Sequence, residues 1–152
     1  MEYIMNSDRP DTCIFCDAPQ MADQDSLIVN RSALAYVILN RYPYTSGHIM
    51  VVPFAHVATI EELDSETRSE IMELLTYSTR VLNKVYHPDG YNIGGNIGSA
   101  AGAGIADHVH FHLVPRWSGD TNFMSTLALA RVLPEDLQVT LSRLKNTWDS
   151  PA

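Results

Sequence analysis

In Asp107-His108-Val109-His110-Phe111-His112-Leu113-Val114-Pro115-Arg116-Trp117, three histidines alternate with apolar residues. Along a β-strand every second side chain shares a face. The pattern therefore predicts a strand over 108–114 with His108, His110 and His112 on one side and Val109, Phe111 and Leu113 in a core on the other. Three of the chain's six histidines fall within these five positions. Three readings fit. A half-exposed strand can carry histidines by chance, although nothing in β-propensity favours them there. Three imidazoles on one face can hold a metal, as in hydrolytic zinc enzymes. One imidazole can act as a nucleophile with its neighbours as helpers. The residues before and after the strand have to separate these readings.

A chain of 152 residues suits a single domain with a sizeable core, so 1–152 reads as one unit with residues 1–12 as a loose N-terminal arm. No apolar run approaches a membrane span. The net charge of -8 speaks against nonspecific binding to nucleic acid or a membrane surface, and it requires any anionic substrate to be held by a local site. The opening Met1-Glu2-Tyr3-Ile4-Met5-Asn6 lacks the basic and apolar regions of a signal peptide, so the expected location is cytoplasmic. Both cysteines lie in Cys13-Ile14-Phe15-Cys16, a spacing that suggests metal or redox chemistry in a reducing compartment. The loop-like flanks do not supply the strand and helix that a redox motif expects. Two thiolates are half of a tetrahedral zinc site.

The remaining pattern is that of an α+β domain with an antiparallel sheet of about five strands, one long helix and a C-terminal helix. Residues 23–26 read as a polar turn. Residues 27–29 and the apolar 33–39 read as strands, followed by a loop at 40–47 and a strand at 48–53 stopped by proline. Ser65 to Tyr86 is the clearest helix, with Ile71, Leu74, Leu75, Leu82 and Val85 at helical spacing, acidic residues at its start, and Asp64 or Ser65 as the cap. Residues 91–97 form a glycine-interrupted strand and 98–104 a loop of small residues. Residues 118–123 read as a loop and 124–133 as ambiguous. Glu135 to Lys145 reads as a terminal helix with Pro134 at its start.

The loop Gly98-Ser99-Ala100-Ala101-Gly102-Ala103-Gly104 lets backbone N–H groups approach a phosphate closely. Beside three histidines, it suggests a site that holds a phosphoryl group with amides and attacks phosphorus with imidazole. Only the middle histidine, His110, has a neighbour two residues away on each side, which makes it the nucleophile of this reading. It needs no deprotonation near neutral pH if its proton sits on the far nitrogen, where a backbone carbonyl can hold it.

At this level of detail the chain resembles the histidine triad (HIT) family. His108-Val109-His110-Phe111-His112-Leu113-Val114 matches the family signature. The likeness extends to Cys13-Ile14-Phe15-Cys16, to residues 40–48, to Asn96 and the loop after it, and to 115–123. The resemblance implies a nucleotidyl hydrolase or transferase acting at the α-phosphate, and a homodimer with one continuous sheet. It implies His110 as nucleophile within a catalytic set of His108, His110, His112 and His48, the last as support. It also implies Asn40 at the nucleoside pocket, and Asn96, Gly102, Ala103, Gly104 and His112 around the phosphate. Some bacterial members hold zinc on a pattern that here reads Cys13, Cys16, His56 and His108, a closed structural site that takes His108 away from direct chemistry. His87 matches nothing in the family and is expected to face solvent.

One departure concerns the loop. Many relatives carry Ala-Gly-Gln where this chain has Ala101-Gly102-Ala103-Gly104 and is one residue longer, so a side-chain amide is missing and phosphate binding should lean on backbone N–H groups. The 115–123 stretch resembles the branch acting on dinucleoside polyphosphates. Arg116 meeting a distal phosphate and Trp117 stacking on a base is one reading of it; a packing corner at the sheet edge is the other.

The expected function is therefore cleavage of a dinucleoside polyphosphate such as diadenosine tetraphosphate, by water or by phosphate, through a nucleotidyl-histidine. Zinc would be structural, and Mg²⁺ would enter only with the polyphosphate. The alternatives are a nucleotide-binding or regulatory module, a nucleoside phosphoramidase-type HIT hydrolase, and a zinc hydrolase using all three triad histidines as ligands. Neither nucleic acid nor membrane is expected as a partner.

Overall fold

A computed structural model describes residues 12–120 and 134–150. In chain order it contains two one-turn helices, α1 (Ile14–Asp17) and α2 (Asp23–Ser26), then strands β1 (Ile28–Arg31), β2 (Ala35–Leu39) and β3 (Ile49–Pro53). The long helix α3 (Ser65–Tyr86), strands β4 (Gly90–Gly94) and β5 (Phe111–Arg116), and helix α4 (Leu137–Trp148) follow. The strands form one five-stranded sheet in the order β1-β2-β3-β5-β4, and every neighbouring pair is antiparallel. This is the expected α+β architecture. The arm expected over 1–12 and the segment 124–133 lie outside the described residues, Thr12 excepted. Among the described residues no helix is long and apolar enough to cross a membrane.

The apolar runs of β2 and β3 are explained by their places: both are buried at every residue, near the middle of the sheet. Helix α3 packs over β2 and β3 and against α4, which in turn packs on β1. Its buried Ile71, Leu74, Leu75, Val81 and Leu82 form the expected stripe, each contributing about 1.5–3 kcal/mol by leaving water. Asp64 caps it, accepting the Thr67 N–H at 2.7 Å. The exposed His87 ends it in the left-handed conformation, with φ of 48°.

Several elements differ from the sequence reading: residues 23–26, expected as a turn, form α2, and the strand expected over 91–97 stops at Gly94. Helix α4 starts at Leu137 because Asp136 accepts the Gln138 and Val139 N–H groups as its cap, and it runs on to Trp148. The one-turn helix α1 carries Cys16 and is preceded by Cys13, and it takes in Asp17, which was expected in a loop-like flank; the Cys16 and Asp17 N–H groups close on the Cys13 carbonyl.

The triad segment joins the sheet only at Phe111, whose partner is Val51. Ahead of it the Val109 N–H donates to the Val57 carbonyl at 2.8 Å, and the Pro53 carbonyl, at the end of β3, is taken by the His108 ring at 2.9 Å. Proline has no N–H to continue the ladder. The two faces also fail to separate by polarity. His108, Val109 and His110 are all buried, because α1 covers the histidine side through Phe15.

Candidate active site

Each triad histidine is fixed by a different partner, two of them by backbone carbonyls and His112 by a side chain. His110 Nδ1 lies 2.8 Å from the His108 carbonyl. A carbonyl only accepts, so Nδ1 carries the proton and Nε2 keeps a bare lone pair. The ring is 6% exposed, and burial holds it below the ordinary imidazole range while the bond to the His108 carbonyl opposes that shift. His110 is therefore a neutral imidazole with its basic nitrogen free, the state that nucleophilic attack requires.

His112 and His48 form a second chain. The Tyr44 N–H donates to His48 Nδ1 at 3.1 Å, so the proton of neutral His48 sits on Nε2. That nitrogen lies 2.9 Å from His112 Nδ1 and donates to it. His112 then carries its own proton on Nε2, as a donor. Burial, and secondarily His112, push His48 down to about 3. Burial, and secondarily His110, push His112 down to about 4. The Tyr44 ring stacks on His48 at 5.1 Å.

His108 turns away from its two neighbours. With Nε2 donating to the Pro53 carbonyl, its Nδ1 is a bare lone pair facing Cys13 Sγ at 3.3 Å, Cys16 Sγ at 3.6 Å and His56 Nδ1 at 3.2 Å, and Cys16 Sγ is 3.4 Å from His56 Nδ1. All four donor atoms lie within 4.8 Å of one another. A tetrahedral zinc with ordinary Zn–N and Zn–S bonds has ligand–ligand edges of about 3.3–3.8 Å, and four of the six donor pairs, at 3.2–3.6 Å, sit close to that spacing. The bare Nδ1 of His108 faces these donors as a ligand would. Burial, then the neighbouring Cys13, push the Cys16 thiol up to about 11, and a metal would have to displace its proton. Among the described residues no other cluster of His, Cys, Asp or Glu has metal-site geometry, which leaves Mg²⁺ without support. The three-histidine metal reading loses its geometry, since only His108 of the triad joins the cluster.

The small-residue loop closes on itself. Gly102 N–H donates to the Ser99 carbonyl, Ala103 N–H to the Gly98 carbonyl, and Asn96 Nδ2 to the Gly102 carbonyl at 3.2 Å. The Gly102 and Ala103 N–H groups are thus engaged within the loop, whereas among the described residues none accepts the Gly104 N–H. Asn40 accepts the Tyr42 N–H through Oδ1, and its Nδ2 lies 3.4 Å from His48 Nε2. Arg116 ends β5. It grips Asp120 with Nε at 2.6 Å and a second nitrogen at 2.7 Å, and its third nitrogen donates to Asn92.

Two positions went unread in the sequence. Phe15, 3% exposed between the two cysteines, packs its ring 4.7 Å from that of His110. An aromatic residue inside the Cys pair was its only signal. Gly95, just past β4, lies so close to the His110 carbonyl that a Cβ there would fall 2.7 Å from the oxygen. Its signal was the glycine pair beside Asn96.

Residues 21–119 match the HIT domain. The chain belongs to the HIT family. This HIT protein is 40% identical over 134 residues to an AP-4-A phosphorylase of Mycobacterium tuberculosis, covering 88% of this chain and 69% of that protein. It is 32% identical over 105 residues to the adenosine 5'-monophosphoramidase hnt1 of Schizosaccharomyces pombe, covering 69% of this chain and 74% of that one. Among solved structures, a zinc-bound histidine triad family protein from Mycobacterium smegmatis matches with a TM-score of 0.73 and 26% identity, over 90% of this chain and 93% of that one. Cys13 and Cys16 lie ahead of the matched domain.

Proposed function

We propose that this HIT protein is an enzyme that transfers a nucleotidyl group out of a dinucleoside polyphosphate, diadenosine tetraphosphate being the leading substrate, with phosphate as the acceptor. The observation that carries this is the tautomer of His110, whose Nδ1 proton is held by the His108 carbonyl while Nε2 is left free. The AP-4-A phosphorylase relative supports the substrate and the phosphate acceptor.

The lone pair of His110 Nε2 forms a bond to the α-phosphorus. The P–O bond to the leaving polyphosphate breaks, and its electron pair stays on the departing oxygen as ATP leaves. The adenylyl-imidazole is cationic, and its Nδ1–H bond to the His108 carbonyl strengthens accordingly. Inorganic phosphate then attacks phosphorus from the vacated side. The P–N bond returns its pair to Nε2, and ADP departs. His112 Nε2–H and the Gly104 N–H donate to the phosphoryl oxygens, His48 holds His112 in its donor tautomer, and Asn96 keeps the loop closed. Asn40 borders the nucleoside.

Zinc, held by Cys13, Cys16, His56 and His108, supplies a structural cross-link. The zinc-bound relative and the donor spacing support it. The chain acts as one domain and pairs as a homodimer through the outer edge of β4, where Ile93 is 56% exposed and the backbone is unpaired on one side. A Cys pair that serves as metal ligands fits a reducing, cytoplasmic setting.

Incubation with diadenosine tetraphosphate, with and without inorganic phosphate, tests the reading by its products. ADP plus ATP formed only with phosphate supports it. AMP plus ATP regardless of phosphate makes the enzyme a hydrolase, and no turnover overturns the substrate. The monophosphoramidase relative favours a second reading, in which adenosine phosphoramidate reacts at the same His110. The same assay with that compound separates the two.

A further inference from the structure

The Cys pair holds more than a metal. Helix α1 is one turn long, too short to persist alone, yet it is pinned at both ends and in the middle. Cys13 and Cys16 enter the donor cluster, and the Tyr36 hydroxyl donates to the Phe15 carbonyl at 2.7 Å. Between them the Phe15 ring lies 4.7 Å from His110 and 5.5 Å from His108, centroid to centroid. Among the described residues His110 has one side-chain hydrogen bond to orient it, at Nδ1. Rotation of an imidazole about its outer torsion is broad and roughly two-fold, so a single bond leaves the angle of Nε2 loosely set. A ring packed against it at 4.7 Å, tilted by 48°, restricts that freedom.

We infer that Phe15 is a positioning residue for the His110 nucleophile, anchored by the cluster of Cys13, Cys16, His56 and His108. The cluster reaches His110 along two paths. One is the Phe15 ring. The other is His108 itself, whose side chain joins the donors while its carbonyl fixes the His110 tautomer. Metal at this cluster thereby sets the aim of an imidazole that it does not touch. This rests on His110 being the nucleophile.

The test uses the full-length zinc-loaded protein, with diadenosine tetraphosphate and inorganic phosphate as probes. Phe15→Ala and the milder Phe15→Leu are compared with His110→Ala. Zinc content, circular dichroism, kcat, KM and the ring ¹⁵N shifts of His110 are measured. The expected result is that Phe15→Leu keeps its zinc and fold and loses roughly tenfold or more in kcat, the scale of a small misplacement of a reacting group, with KM nearly unchanged. The His110 shifts should move from a fixed Nδ1–H pattern toward an average of two tautomers, more so in Phe15→Ala. A raised KM with unchanged kcat and unchanged shifts would overturn the inference and make Phe15 a wall of the substrate pocket. Wild-type kcat and shifts in both Phe15 variants would overturn it outright. If His110→Ala stays active, the nucleophile reading fails; if it is inactive while both Phe15 variants behave as wild type, only the positioning role fails.

Discussion

His110, His112 and His48 show how a backbone can choose tautomers. A carbonyl from His108 and an N–H from Tyr44 decide where protons sit on three rings. The consequence is a neutral nucleophile beside a neutral donor. The same burial has a cost in acid. His48 and His112 have folded pKa values pushed down to about 3 and about 4, below the ordinary 6.5 of an unfolded histidine. The unfolded chain therefore binds protons that the folded one refuses as pH falls below 6.5. Their contribution to stability is complete above that pH and is lost progressively as pH drops toward 3–4. Urea midpoints measured from pH 7 down to 4 should fall, and His48→Gln should flatten the slope. An unchanged slope in that variant would mean that His48 carries no such penalty.

At the level of elements, β4 and β5 meet so that Gly94 pairs with His112 and Gly95 then leaves the ladder against the His110 carbonyl. Gly95→Ala places a methyl group 2.7 Å from that oxygen, so one of the two backbones must move. We expect about 1–3 kcal/mol of destabilisation, as for overpacking elsewhere, together with a kcat loss larger than the stability change explains. Denaturation and steady-state assays on one preparation check this, and wild-type kcat would contradict it. Much of the element layout was legible. The 3.6-residue stripe and the Asp64 cap gave α3 its bounds, and the unbroken apolar runs marked β2 and β3. The start of β5 was not legible, because Val109 and His108 bond to Val57 and Pro53 in place of a strand neighbour, and no local pattern records that. Helix α4 began late because Asp136, rather than Pro134, supplied its cap.

Across the whole molecule, the sheet brings His48 at the head of β3 beside His112 on β5, and the loops around it gather residues 40 to 95 positions apart into one donor cluster. The triad was readable because its three histidines are neighbours in sequence. His56 and the Cys pair could be joined to His108 only through likeness to other HIT proteins, since nothing local ties them together. Phe15 and Gly95 escaped for the same reason, as each matters only through a distant approach to His110. The central claim is that the chain reacts as a transferase with a covalent intermediate on His110. Intact-protein mass measurement tests it most directly, after rapid acid-free quenching of a reaction with diadenosine tetraphosphate in the absence of phosphate. One added adenylyl group per chain, mapped to His110 and absent in His110→Ala, is the predicted result. An active His110→Ala variant, or an adduct on another residue, would contradict it.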